Sequence, residues 1–153
     1  MTETLPVPGL VPSLQVRVEL AEPEDHGRTA AGHRRVVPII GGSISGDFTG
    51  VILPGGADWQ VVRDDGTIEI DSRYSARGDD GSLLYIRAIG LRTGPAEVLA
   101  ALGSGEQVDP RSYYFRTTVW LESSSRPDLA NRLFVAACAR HRAEVVYTAY
   151  RVS

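Results

Sequence analysis

Alternation with a period of two residues runs through most of the chain and constrains its fold more than any other feature. In LQVRVEL, Leu14, Val16, Val18 and Leu20 fall on one face and Gln15, Arg17 and Glu19 on the other, which describes a half-buried strand. Ile68, Ile70, Ser72, Tyr74 and Ala76 alternate in the same way with Glu69, Asp71, Arg73, Ser75 and Arg77. Phe115, Thr117, Val119 and Leu121 alternate with Tyr114, Arg116, Thr118, Trp120 and Glu122. Asp65-Gly66 and Asp80-Gly81 suit tight turns in which positive φ is needed. They join DWQVVR, TIEIDSRYSAR and SLLYIRAIGLR into a three-strand antiparallel meander. VVPIIGGSISGDFTGVIL reads as two short strands interrupted by glycines, the residues that bend a sheet toward closure. LFVAACARH and AEVVYTAYRV supply two more strands.

Helical signals are few. PAEVLAALGSG has proline at its start and glycine at its end, so a short helix is expected over Pro95 to Leu102. RPDLANRL offers a helical turn with Asp128 as its cap, and AEPEDHGRTAAGHRR reads as a polar loop. The expectation is all-β: a single antiparallel barrel of about eight or nine strands. Residues 14–153 are assigned to the barrel and residues 1–13 to a flexible N-terminal segment.

Composition narrows the function. A chain of 153 residues, 42% hydrophobic and 23% charged, fits one soluble domain with a substantial core. A net charge of -3 gives no reason to expect nucleic acid or an anionic membrane as partner. No apolar run approaches the roughly 20 residues that span a bilayer, and no signal peptide opens the chain, so a cytoplasmic location is expected. All 16 basic residues are arginines. Lysine-based covalent catalysis is therefore excluded, while arginines remain to clamp carboxylates or enolates. The one cysteine, Cys138, sits in an apolar run and reads as a small buried hydrophobe. The three histidines lack metal-ligand spacing, and neither a P-loop nor a GxSxG elbow is present. No metal and no cofactor are expected.

Proton transfer then falls to Asp, Glu and Tyr, with arginine stabilising negative charge. LPGGADW places Asp58 and Trp59 after a loop of small residues that allows close backbone approach. The face of Tyr114, Arg116, Trp120 and Glu122 mixes aromatic and charged groups, which suits a pocket lining as well as a solvated wall. On this reading Arg116 points into the barrel beside Asp58, Trp59, Arg73 or Arg92.

The motifs LPGGADW, the Asp65-Gly66 … Asp71 … Arg73-Tyr74 run, DDG, YFR and Asn131-Arg132, in that order over about residues 14–152, resemble the domain-of-unknown-function family 3237 of bacteria and fungi. The resemblance implies a small β-barrel similar in fold to lipocalins or allene oxide cyclases, and no reaction. Two stretches depart from its usual pattern: Leu129-Ala130 lacks an aromatic residue before Asn131, and Val119-Trp120-Leu121-Glu122 replaces a Phe-Glu ending.

The function expected is a cofactor-independent cyclase, isomerase or lyase acting on a small organic, biosynthetic intermediate inside the barrel. Asp58, Arg116, Glu122 and Tyr74 are the candidate catalytic residues. Trp59, Arg73, Arg92, Tyr114, Trp120 and Asn131 are candidates for binding the substrate. The alternatives are a non-catalytic small-molecule-binding barrel, or a structural module that forms homo-oligomers.

Overall fold

Leu14, Val16 and Val18 are buried and Gln15 and Arg17 are not, so the alternation of the first strand translates directly into an inward and an outward face. The structure, a computed structural model, describes residues 2–153. Ten strands run β1 (Leu10–Leu20), β2 (Glu24–Thr29), β3 (Gly32–Gly46), β4 (Gly50–Ile52), β5 (Gly56–Val62), β6 (Ile68–Gly78), β7 (Leu83–Thr93), β8 (Tyr114–Glu122), β9 (Phe134–Arg140) and β10 (Glu144–Val152). One α-helix, α1 (Ala96–Gly103), lies between β7 and β8.

The strand order is β1-β10-β9-β8-β7-β6, then β4 and β5 sharing one position, then β3, which pairs back with β1. The wall is thus a closed, antiparallel barrel of eight positions, with β2 paired outside the ring to the first half of β3. Closure leaves no free edge along the ring.

Several sequence expectations meet this architecture directly. β5, β6 and β7 form the meander. The two Asp-Gly turns place only their glycines at positive φ, Gly66 at 88° and Gly81 at 86°. The helix starts one residue after Pro95. Other expectations change. β1 begins at Leu10, because Leu10 to Pro12 pair with β10 and Gly9 exchanges hydrogen bonds with Ser153. AEPEDHGRTAAGHRR is not a loop: Glu24–Thr29 pairs with β3 as a hairpin, and it escapes hydropathy because both its faces meet solvent. VVPIIGG is not a short strand either, since β3 runs unbroken for 15 residues. Its first half pairs with β5 and its second half with β1 and β4. RPDLANRL forms a 3-10 turn over Pro127–Asn131, with Arg126 rather than Asp128 at its cap.

The interior has two zones. Leu14, Leu84, Ile86, Leu121 and Phe134 are almost wholly sequestered at one end. Among the described residues no helix is long and apolar enough to cross a membrane.

A polar chamber inside the barrel

Three inward rows of side chains end in arginine at the same rim, the one carrying the β5–β6 turn. They are Ile39-Val37-Arg35 on β3, Ile86-Ala88-Arg92 on β7 (with Gly90 between) and Ala136-Cys138-Arg140 on β9. Between them β5 contributes Asp58 and Gln60 on its inward face. A cavity of about 40 Å³ opens here. Asp58, Gln60, Arg92 and Arg140 line it together with Tyr74, Thr117, Cys138, Tyr147 and apolar walls such as Ile70 and Phe115.

Asp58 is 8% exposed. Its Oδ2 accepts from Gln60 Nε2 at 2.8 Å and its Oδ1 from the Asp71 backbone N–H at 3.0 Å. Gln60 Oε1 in turn accepts from Arg35 Nη2 at 3.0 Å, so a polarised chain runs from guanidinium to carboxylate. Burial raises the Asp58 pKa above the usual aspartate value, against the opposing pull of Gln60, the Asp71 amide, Ser72 and Arg92. A buried carboxyl held above its ordinary range is a common property of acid–base sites.

Arg92 is 5% exposed. Its guanidinium lies over the Phe115 ring, 5.6 Å from the centroid, and its buried Nε has no hydrogen-bond partner among the described residues. Burial, followed by the like charges of Arg140 and Arg35, pushes its pKa down to about 10, so it remains a cation at neutral pH. Arg140 is lowered for the same first reason, burial; its Nη1 donates to the Glu144 carbonyl at 3.3 Å. Among the described residues the guanidiniums of Arg35, Arg92 and Arg140 act on one another here, Asp58 is the carboxyl that lines the cavity, and Glu22 also reaches Arg140 with its charge.

The family model described as "protein of unknown function (DUF3237)" matches residues 8–152. The chain belongs to this DUF3237 family. A UPF0311 protein of Bradyrhizobium diazoefficiens is 41% identical over 128 residues, covering 82% of this chain and 84% of that protein. A UPF0311 protein of Clostridium acetobutylicum is 44% identical over 125 residues, 80% of this chain and 79% of that one. Among solved structures, a conserved protein of unknown function from Rhodopseudomonas palustris superposes with a TM-score of 0.90 at 33% identity, covering 98% of this chain and all of that one. A β-barrel-like protein from Acinetobacter baumannii gives 0.86 at 39% identity, over 99% and 100% of the two chains. A Penicillium herquei protein described as an enzyme shares the fold, at a TM-score of 0.72 and 16% identity over the full length of both.

Within this DUF3237 barrel the residues singled out from sequence divide sharply. Asp58, Tyr74 and Arg92 line the cavity. The rest lie outside it. Arg116 does not point inward: it is exposed, its Nη1 donates to the Phe115 carbonyl at 3.0 Å, and its guanidinium packs over the Tyr114 ring. Tyr114, Trp120 and Glu122 share that outer face. Trp59 is on the outer face of β5, Arg73 faces out beside Asp71, and Asn131 is exposed at the end of its 3-10 turn. The physical reason is volume. The interior of an eight-stranded barrel is only wide enough for side chains to fill, so β8 turns its compact, mostly apolar row inward and leaves the long charged and indole side chains outside.

Arg35, Gln60, Thr117, Arg140 and Tyr147 were missed, although a signal for most of them existed. Once Asp58 faces inward, Gln60 follows by the period of two. An apolar alternating row that ends in arginine, repeated on three strands, marks the rim.

Proposed function

We propose that this DUF3237 barrel is a cofactor-independent enzyme of the cyclase, isomerase or lyase kind, acting on a small organic anion held in the chamber. The observation that carries the reading is the pairing, in one cavity, of a buried guanidinium whose Nε has no hydrogen-bond partner among the described residues and a buried carboxyl with a raised pKa. Arg92 has donors to offer an acidic oxygen in a place where leaving a charge unpaired costs several kcal/mol, order of magnitude. Asp58 takes a proton from the carbon next to an anion-stabilising group and returns it at another atom, so the reaction needs no other reactant. The charge that develops on oxygen meanwhile faces Arg92, with Arg140 adding its field. That a fungal protein described as an enzyme is built on the same fold is compatible with this reading.

One observation favours a second reading, a binding barrel without catalysis: both oxygens of Asp58 already accept hydrogen bonds from the protein, as a purely structural carboxylate would. Mass spectrometry of the small molecules released from purified protein separates the readings. An organic acid retained by the wild type and absent from Arg92→Met is expected. That compound should be converted by the wild type and slowed at least about 100-fold in Asp58→Asn, the scale of a lost acid–base group. Retention without conversion establishes the binding barrel, and equal retention by Arg92→Met overturns both readings.

A further inference from the structure

Tyr74 and Tyr147 are 73 residues apart in sequence, yet their hydroxyls meet inside the barrel. Tyr74 projects from β6 and Tyr147 from β10, and β7, β8 and β9 separate these two strands in an eight-position ring. The two side chains therefore reach toward each other from opposite walls. On one side of them lie Leu84 and Phe134, and on the other Asp58 and Arg92. The pair forms the floor of the chamber.

The hydrogen count on that floor is uneven. Burial pushes the pKa of both phenols above the ordinary value, with Tyr147 adding to the rise at Tyr74, so both carry their protons at neutral pH. Two hydroxyls hold two protons, and the bond between them uses one. Whichever tyrosine accepts still has an O–H to donate, and among the described residues neither hydroxyl has a second partner. The thiol of Cys138 nearby is pushed up to about 12 by burial, so it stays protonated and is a weak acceptor. Both phenols line the cavity, so the space beside the spare donor is open to a ligand. A buried donor without an acceptor costs free energy, which a ligand oxygen would recover.

Resting on the proposed anion site at Arg92, we infer that the chamber takes a compound with two oxygen functions. Its acidic group sits on the Arg92 guanidinium, and a second oxygen, a carbonyl or its enol, accepts the free proton of the Tyr74–Tyr147 pair. The substrate class is a small oxo acid rather than a simple carboxylate. Tyr147 is then a binding residue for the second oxygen, and the pair favours the enol form by donating to the oxygen where negative charge gathers.

The test is binding of 2-oxobutanoate against butanoate, measured by ligand-observed NMR with the full-length chain. The two probes differ only in the second oxygen. The wild type is expected to bind 2-oxobutanoate about 10-fold tighter than butanoate, the worth of one good hydrogen bond in a closed site. Each single variant, Tyr147→Phe or Tyr74→Phe, leaves one hydroxyl whose proton is free to donate, so the Tyr74→Phe/Tyr147→Phe double variant is the one that should lose that preference while keeping butanoate affinity, which also shows that it remains folded. Equal binding of both acids by the wild type overturns the inference and leaves the anion site standing, as does a preference that survives the double variant. Binding of neither acid overturns the anion site and the inference with it.

Discussion

Asp58 couples the chemistry of the site to pH. Burial raises its pKa, so the folded chain holds this proton more tightly than the unfolded chain does. The stability it contributes is complete below the ordinary aspartate value of about 4 and is lost as the pH rises through the raised folded value. Urea unfolding at a series of pH values should show the wild type losing stability relative to Asp58→Asn across that window; a relative gain would mean that the Gln60 and Asp71 donors outweigh burial. Arg92 makes a separate prediction. Replacing a buried charge that is not fully hydrogen-bonded, as the Arg92 Nε is not, with an apolar chain of similar length is often stabilising, so Arg92→Met should raise the unfolding free energy by about 1–3 kcal/mol while abolishing anion binding. A loss of stability instead would assign the guanidinium a structural role. Arg116, on the outer face, should tolerate lysine: ligand retention and unfolding midpoint should both match the wild type.

At the scale of elements, β3 makes closure possible. It must leave its pairing with β5 and join β1 within one strand, and Gly42 sits in the half that pairs with β1. Gly42 has φ 137°, and a Cβ there would lie 2.0 Å from the Arg17 carbonyl oxygen. Both the backbone conformation and the close approach demand glycine, so Gly42→Ala should cost at least about 2 kcal/mol in urea unfolding, given strain of 1–3 kcal/mol per forced residue. The strands of the wall were legible because one face of each is buried, which writes a period of two into the sequence. The β2–β3 hairpin was not, because EDHGRT buries nothing. Its backbone pairing and surface contacts such as His33 with Asp25 and Arg28 with Asp64 leave no hydropathy signal.

For the whole molecule, stability and chemistry are stacked along the barrel axis. The apolar end beyond the two tyrosines carries the packing, and the arginine rim carries the candidate site. Leu121 is 1% exposed and belongs to the apolar end. Leu121→Ala should therefore lower the unfolding free energy by about 2–5 kcal/mol, the usual range for a buried leucine, and leave butanoate affinity unchanged; a parallel loss of binding would show that the two ends are coupled.

The local sequence by itself determined the strands, the Asp-Gly turns, the short helix after Pro95 and, through these, an antiparallel barrel wall. It also marked Asp58, Tyr74 and Arg92. Only the tertiary structure decided which face of β8 looks inward, because an alternating pattern reads the same whichever side is turned to the core. The cramped interior of a closed eight-position ring then selected Phe115 and Thr117 over Arg116 and Trp120. Tertiary structure also decided which side chains meet: Asp58 with Gln60 and Arg35, and Tyr74 with Tyr147. Contacts across the barrel join residues far apart in the chain, and they depend on register and closure rather than on any local pattern of residues.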